Sequence, residues 1–181
     1  MSGTLAGYKY LKTYKLSVVV CDLTVEFCDR WIDRFSRTRD QMVQAARSGK
    51  QNIVEGSKGK SLQNYVRLCS VARASLEELL EDYHDFARQQ GLRIWESREE
   101  RAKRGIWDIQ VDATSPALPA IPALPTDKEK AANFMVNLLN QTNYLLDQQI
   151  RSLEKKFIEE GGFTENLFRK RMEYRKNAKT F

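Results

Sequence analysis

A chain of 181 residues, 41% hydrophobic and 30% charged, is sized for one domain with a modest core, and its net charge of +6 favours phosphate-bearing or acidic partners. No apolar run approaches the length of a membrane span, and the opening MSGTLAGYKYLKTYK lacks the apolar core of a secretory signal, so a cytoplasmic protein without a membrane partner is expected. Three cysteines set within helical patterns, with a single histidine in the whole chain, read as core thiols and not as a metal site.

The first helix is expected over about residues 8–35. Its stripe Leu11, Tyr14, Val18, Cys21, Val25, Cys28, Ile32, Phe35 advances in steps of three and four, as knobs-into-holes packing requires. A second helix follows over 38–56, with the stripe Met42, Ala45, Ala46, Gly49, Ile53. Gly56 is expected to close it in the left-handed conformation, which predicts a positive φ there. Ser57-Lys58-Gly59-Lys60 forms a short connection, and Ser61 is a good N-cap for a third helix over 61–90. Its stripe is Leu62, Tyr65, Cys69, Ala72, Leu76, Leu79, Tyr83, Phe86. So short a link makes the second and third helices an antiparallel hairpin, and Ala45, Ala46 and Gly49 allow close approach.

An insertion over 91–126 comes next. Its first half carries Trp95 and Trp107 and the pairs Glu99–Lys103 and Glu100–Arg104 at helical spacing, which predict a short surface helix. Its second half holds Pro116, Pro119, Pro122 and Pro125 at a period of three, the repeat of polyproline II. Leu118, Ile121 and Leu124 then form one edge of the rod, expected to lie along the helices or on a neighbouring subunit. A role as a ligand for an SH3-like partner fits the spacing but lacks charged flanks. The fourth long helix is expected over 127–160, with the stripe Met135, Leu139, Thr142, Leu146, Ile150, Leu153, Phe157. Gly161-Gly162 stops it, and Thr164 is expected to cap a short basic helix from Glu165 to about Lys176 within the segment 163–181. That helix is expected to dock through Phe163, Phe168 and Met172. The whole reads as one all-α domain, an up-down-up-down four-helix bundle.

The stretch from Gln41 to Tyr83 carries a resemblance. Q-x-x-x-A-A-x-S (Gln41 to Ser48), then N-I-x-E-G-S (Asn52 to Ser57), then Ser61 and Y-x-R-x-x-x-x-A-x-x-S-L-x-E-L (Tyr65 to Leu79) stand in order. The pattern resembles the bacterial four-helix-bundle proteins encoded in intervening sequences of 23S ribosomal RNA, and the related accessory variability proteins of diversity-generating retroelements. The match covers roughly residues 8–90 well and the last long helix weakly. Lys50-Gln51 stand where members of that family usually place a proline. The resemblance implies a helical bundle and a ring-like homo-oligomer, with a pentamer the best-known arrangement among the retroelement relatives. It also implies nucleic-acid binding in the company of a reverse transcriptase.

Charge is distributed unevenly. Residues 34–67 carry eight basic and two acidic side chains, residues 166–181 six basic and one acidic, and residues 68–90 two basic and five acidic. Two basic regions flanking an acidic helix face make a polarised molecule. Arg37, Arg39, Arg47, Lys50, Lys58, Lys60 and Arg67, with Arg169, Arg171 and Arg175 of the tail, are the candidate phosphate contacts, with no base-reading module beside them. Asn52, Glu55, Gly56 and Ser61 are expected to be structural. Glu55 sits where a helix C-terminus disfavours a carboxylate, so a bond to backbone amides, Arg67 or Arg73 is expected to compensate, with Asn52 in the same polar cluster. Enzymatic readings find little support. Glu81-x-x-His84 is one half of a di-iron pattern that needs two histidines, and no phosphate-cradling glycine loop or Ser-His-Asp context is present. No catalytic residue, metal or cofactor is therefore assigned. The alternative reading is a protein–protein interaction module without a nucleic-acid role, working through the proline rod, Trp95, Trp107 and the tail.

Overall fold

The computed structural model describes residues 7–178. Lys179, counted above among the basic tail residues, lies outside them, as do residues 1–6 and the last two residues. The chain is all-α, without a strand among the described residues. A 3-10 turn, Gly7–Tyr10, leads into α1 (Lys12–Trp31), α2 (Arg37–Lys58), α3 (Leu62–Gln89), the short α4 (Arg98–Lys103), α5 (Lys128–Glu160) and α6 (Phe163–Ala178). The four long helices pack in a cycle, α1 on α2, α2 on α3, α3 on α5, and α5 back on α1. Pairings run in opposite order along α2 and α3: Ser48 meets Ser75 at 2.9 Å, whereas Gly56 lies against Tyr65 and Leu68. The same holds for α3 and α5, where Gln149 reaches Tyr65 and Asn143 reaches Glu77.

Helix α3 follows its expected stripe, with Cys69, Ala72, Leu76, Leu79, Tyr83 and Phe86 buried, and Ser61 caps it by accepting from the Asn64 amide. Helix α1 does not. Its buried face is Leu16, Val20, Leu23, Phe27, flanked by Val19, Thr24 and Cys28. Of the expected stripe only Cys28 is buried, and Phe35 is 82% exposed beyond the helix end at Trp31. The Val18-Val19-Val20 run allows either stripe at helical spacing. Packing against both α2 and α5 selects the one that puts Leu16, Leu23 and Phe27 inside.

Gly56 is also corrected. Helix α2 runs through it to Lys58, and among the described residues the positive-φ glycines are Gly91, Gly105 and Gly161. A Cβ at Gly56 would stand 2.7 Å from Tyr65 Cδ2 and 3.2 Å from Leu68 Cβ, so this glycine is a point of close helix approach and not a stop. Gly59, in extended conformation, ends the helix.

The insertion is fastened into the groove between α1 and α5. Asn133, Asn137 and Gln141, four residues apart on α5, form a ladder of amides along it. Asn133 accepts from the Trp95 amide (2.6 Å) and donates to the Arg93 carbonyl (2.8 Å). Asn137 donates to Asp108 (3.2 Å), and Gln141 both accepts from and donates to the Ile109 backbone. Trp95 is only 3% exposed, and Arg104 lies 4.5 Å over its ring. Two cations of α1 hold the proline rod at its ends. Buried Lys15 donates to the Asp112 and Ser115 carbonyls (2.5 Å each), and Arg30 donates to the carbonyls of Leu124 (3.1 Å) and Pro125 (3.2 Å). The rod therefore runs parallel to α1. The expected Leu-Ile-Leu contact edge is corrected: the prolines are half-buried, Leu124 is buried, and Leu118 and Ile121 are exposed.

Lys15→Met should consequently release the rod without unfolding the helices. Losing the charged bonds that hold one end ought to speed elastase cleavage after Ala117, Ala120 or Ala123 by about tenfold or more. Unchanged cleavage with an unchanged helical circular dichroism signal would show that Lys15 does not hold the rod.

Helix α6 begins at Phe163, two residues before the expected start. Gly162, not Thr164, occupies its cap, donating its amide to Glu165 Oε2 (2.8 Å) while its carbonyl accepts from the Asn166 amide. Gly161, at φ 77°, closes α5 as expected. The expected docking does not occur: Phe163, Phe168 and Met172 are all exposed, and no residue is buried over 163–177 of α6.

Candidate functional site

Basic side chains predicted together in sequence are distributed over three surfaces. Arg47, Lys50 and Lys58 recur along the side of α2 that faces α1. The first two lie near the Cys21 thiol, which burial pushes up to about 11 against the pull of both cations. That thiol donates to the Ala46 carbonyl at 3.1 Å. Lys58 sits 5.4 Å over the Tyr8 ring, so the end of α2 meets the 3-10 turn that bears Lys9, with Lys12 at the start of α1. Lys60 is exposed in the following connection. Among the described residues no ion pair engages Arg47, Lys50, Lys58 or Lys60. Lys9 and Lys12 belong to this cationic end by position. Sequence reading missed them because only the fold folds the 3-10 turn against α2.

The other candidates lie elsewhere. Arg39 pairs with Asp29 of α1, which neutralises it. Arg67 is exposed and donates to Asn64 of its own helix (3.0 Å). Arg37 opens onto the opposite groove, between α2 and α3. Ala45, Ser48 and Ser75 give that groove a small-residue floor, and Asp40, Glu78 and Asp82 its rim, around a depression of about 640 Å³. The Asp82 carboxyl is raised from its usual range, by burial first and then by the neighbouring Asp85 and Glu78. Arg169, Arg171 and Arg175 are exposed on α6.

Asn52 and Glu55 do not form the expected cluster. Asn52 donates to the Ser48 carbonyl (2.9 Å), and through Ser48 this polar seam reaches Ser75 of α3. Glu55 is exposed, and among the described residues nothing pairs with it; Arg67 is engaged by Asn64, and Arg73 by Glu77 and Asp147. Helix α2 continues three residues beyond Glu55, to Lys58. Cys28 and Cys69 are buried, and burial pushes both thiols up to about 12. Among the described residues no three His, Cys, Asp or Glu side chains stand together as a metal site, and no helix is long and apolar enough to cross a membrane.

No protein-family model matches this chain, and neither curated proteins nor solved structures give a significant match.

Proposed function

We propose that the chain is a non-enzymatic scaffold whose four long helices form an up-down-up-down bundle, and that it self-associates and holds a nucleic acid by its phosphates. The observation that carries this reading is the unpaired cation row Arg47, Lys50, Lys58 and Lys60, continued at the same end by Lys9 and Lys12. Such a row, one arginine and three lysines, offers positive charge along the surface outside any recognisable base-reading module. It fits backbone contact without sequence preference. The resemblance over residues 8–90 points the same way, toward an oligomer that accompanies a nucleic-acid enzyme such as a reverse transcriptase. Self-association is supported further by six large hydrophobic side chains left exposed between Ile158 and Tyr174.

Fluorescence anisotropy with random-sequence DNA and RNA tests the phosphate contact. Four contacts predict a loss of about a hundredfold in affinity between about 50 and 200 mM salt. Neutralising Arg47, Lys50 and Lys58 together should flatten that slope. No binding at low salt, or binding indifferent to salt, would sink the reading. The protein-interaction alternative loses Trp95 to burial, finds the proline edge half-buried, and keeps Leu118, Ile121, Trp107 and the tail as exposed surface. A reverse transcriptase gene beside this one favours the scaffold reading over that alternative.

A further inference from the structure

Helix α5 outruns the helices it packs on. Gln149 accepts from Thr13 (2.5 Å) and donates to Tyr65 (2.7 Å), which sets it level with the first turns of α1 and α3. The eleven residues from there to Glu160 carry α5 about 16 Å further. Helix α6 then follows with Phe168 (65% exposed) and Met172 one turn apart on one face, flanked by Arg169, Arg171 and Arg175. Among the described residues no ion pair or hydrogen bond engages those three arginines or Lys170. Over residues 163–178 five basic side chains stand against two acidic ones.

The opposite end carries the converse. Residues 77–85 of α3 hold five carboxylates and neither lysine nor arginine. Asp40, Glu78 and Asp82 rim the α2/α3 groove, and no ion pair or hydrogen bond within the described residues takes up any of the three carboxylates. The groove begins ten residues along α3 from Tyr65. It is therefore about 30–40 Å from the start of α6 in the same chain.

We infer that α6 is a docking arm that lies in the α2/α3 groove of a second copy, its arginines on that copy's Asp40, Glu78 and Asp82 and its Phe168–Met172 face over Ala45, Ser48 and Ser75. This rests on the self-association proposed above and names its surfaces. A helix laid in a small-residue groove between two helices is a standard recognition geometry. A phosphate backbone has no use for exposed Phe168 and Met172, and a membrane surface leaves the carboxylates at the far end unexplained. Two arms packed on each other would face like charges. A second copy joined head to tail satisfies both ends at once. Such heterologous contacts close into a ring or continue as a filament, according to the rotation per step.

Sedimentation velocity on the full chain at low and high salt tests this, with one variant reversed on the arm (Arg169→Glu, Arg171→Glu, Arg175→Glu) and one on the groove (Asp40→Lys, Glu78→Lys). The wild type should assemble at low salt. Each variant should need at least about tenfold more protein to do so, and mixing the two should restore assembly, because each reversed surface then meets its complement. Assembly untouched by either reversal overturns the arm-and-groove contact while leaving self-association standing through another surface. A wild type monomeric at every concentration overturns both. A monomeric wild type that cosediments with phosphatidylserine vesicles assigns the arm to a membrane surface instead and equally overturns the inference.

Discussion

Gly49→Ala should destabilise the protein by about 1–2 kcal/mol, although alanine is the better helix former by about 1 kcal/mol. An added Cβ would stand 2.5 Å from Leu76 Cδ2 and 2.7 Å from Leu76 Cγ. Leu76 is fully buried, so it must change rotamer into occupied space or push α2 and α3 apart. Overpacking of this kind costs about 1–3 kcal/mol, and a contact this short falls in the upper part of that range, which leaves a net loss of about 1–2 kcal/mol after the propensity gain. Valine should do worse, adding two methyl groups to the same contact. Gly56→Ala tests the same seam one end further along, where the obstacle includes Leu68 Cβ, an atom fixed to the backbone of α3. Urea unfolding read by circular dichroism decides both. A raised midpoint for Gly49→Ala would mean that the α2/α3 seam yields freely and that helix propensity dominates there.

These two glycines also show where sequence reasoning stops. A glycine followed by Ser-Lys-Gly-Lys reads as a helix end, and Gly56 was expected to be one. Its actual reason for being glycine is the Tyr65 ring of the next helix, which no local pattern encodes. Helix α3 was legible because a single stripe of large side chains, from Cys69 to Phe86, serves both neighbours. Helix α1 offered two stripes of similar quality, and only its position between α2 and α5 chooses. In the insertion the proline period was visible, but not which edge faces inward. That is set by Lys15 and Arg30 gripping the backbone, and by an amide ladder on α5 that reads in sequence as ordinary surface polarity. The candidate site was legible as composition and not as geometry. Arg39 and Lys50 look alike in the sequence, yet one is neutralised by Asp29 and the other stands in an unpaired row.

Raising the pH above about 9 should weaken the fold steeply. Burial pushes the Cys28 and Cys69 thiols up to about 12 from an ordinary value of 9.0, and both sulfurs belong to fully buried residues. Between those values the unfolded chain has lost these protons while the folded chain still holds them. The unfolded state therefore binds fewer protons, and stability falls as pH rises. Below pH 9 the contribution is fully present. Through the window it is lost at up to about 1.4 kcal/mol per pH unit for each thiol. Tyr65, pushed up to about 12 by burial, and the fully buried Tyr83, raised well above its ordinary value by the same cause, add to the loss above pH 10. Reversible urea unfolding under reducing conditions at pH 8 and pH 10.5 should show a clear drop in midpoint. Lysines also begin to discharge in that range, so the control is the double variant Cys28→Ala, Cys69→Ala. It should start less stable, because each substitution leaves a small cavity, and should lose distinctly less between the two pH values. Equal losses in variant and wild type would mean that the two thiols are hydrated when folded, and that the packing assigned to α1 against α2 and to α3 against α5 is looser than described.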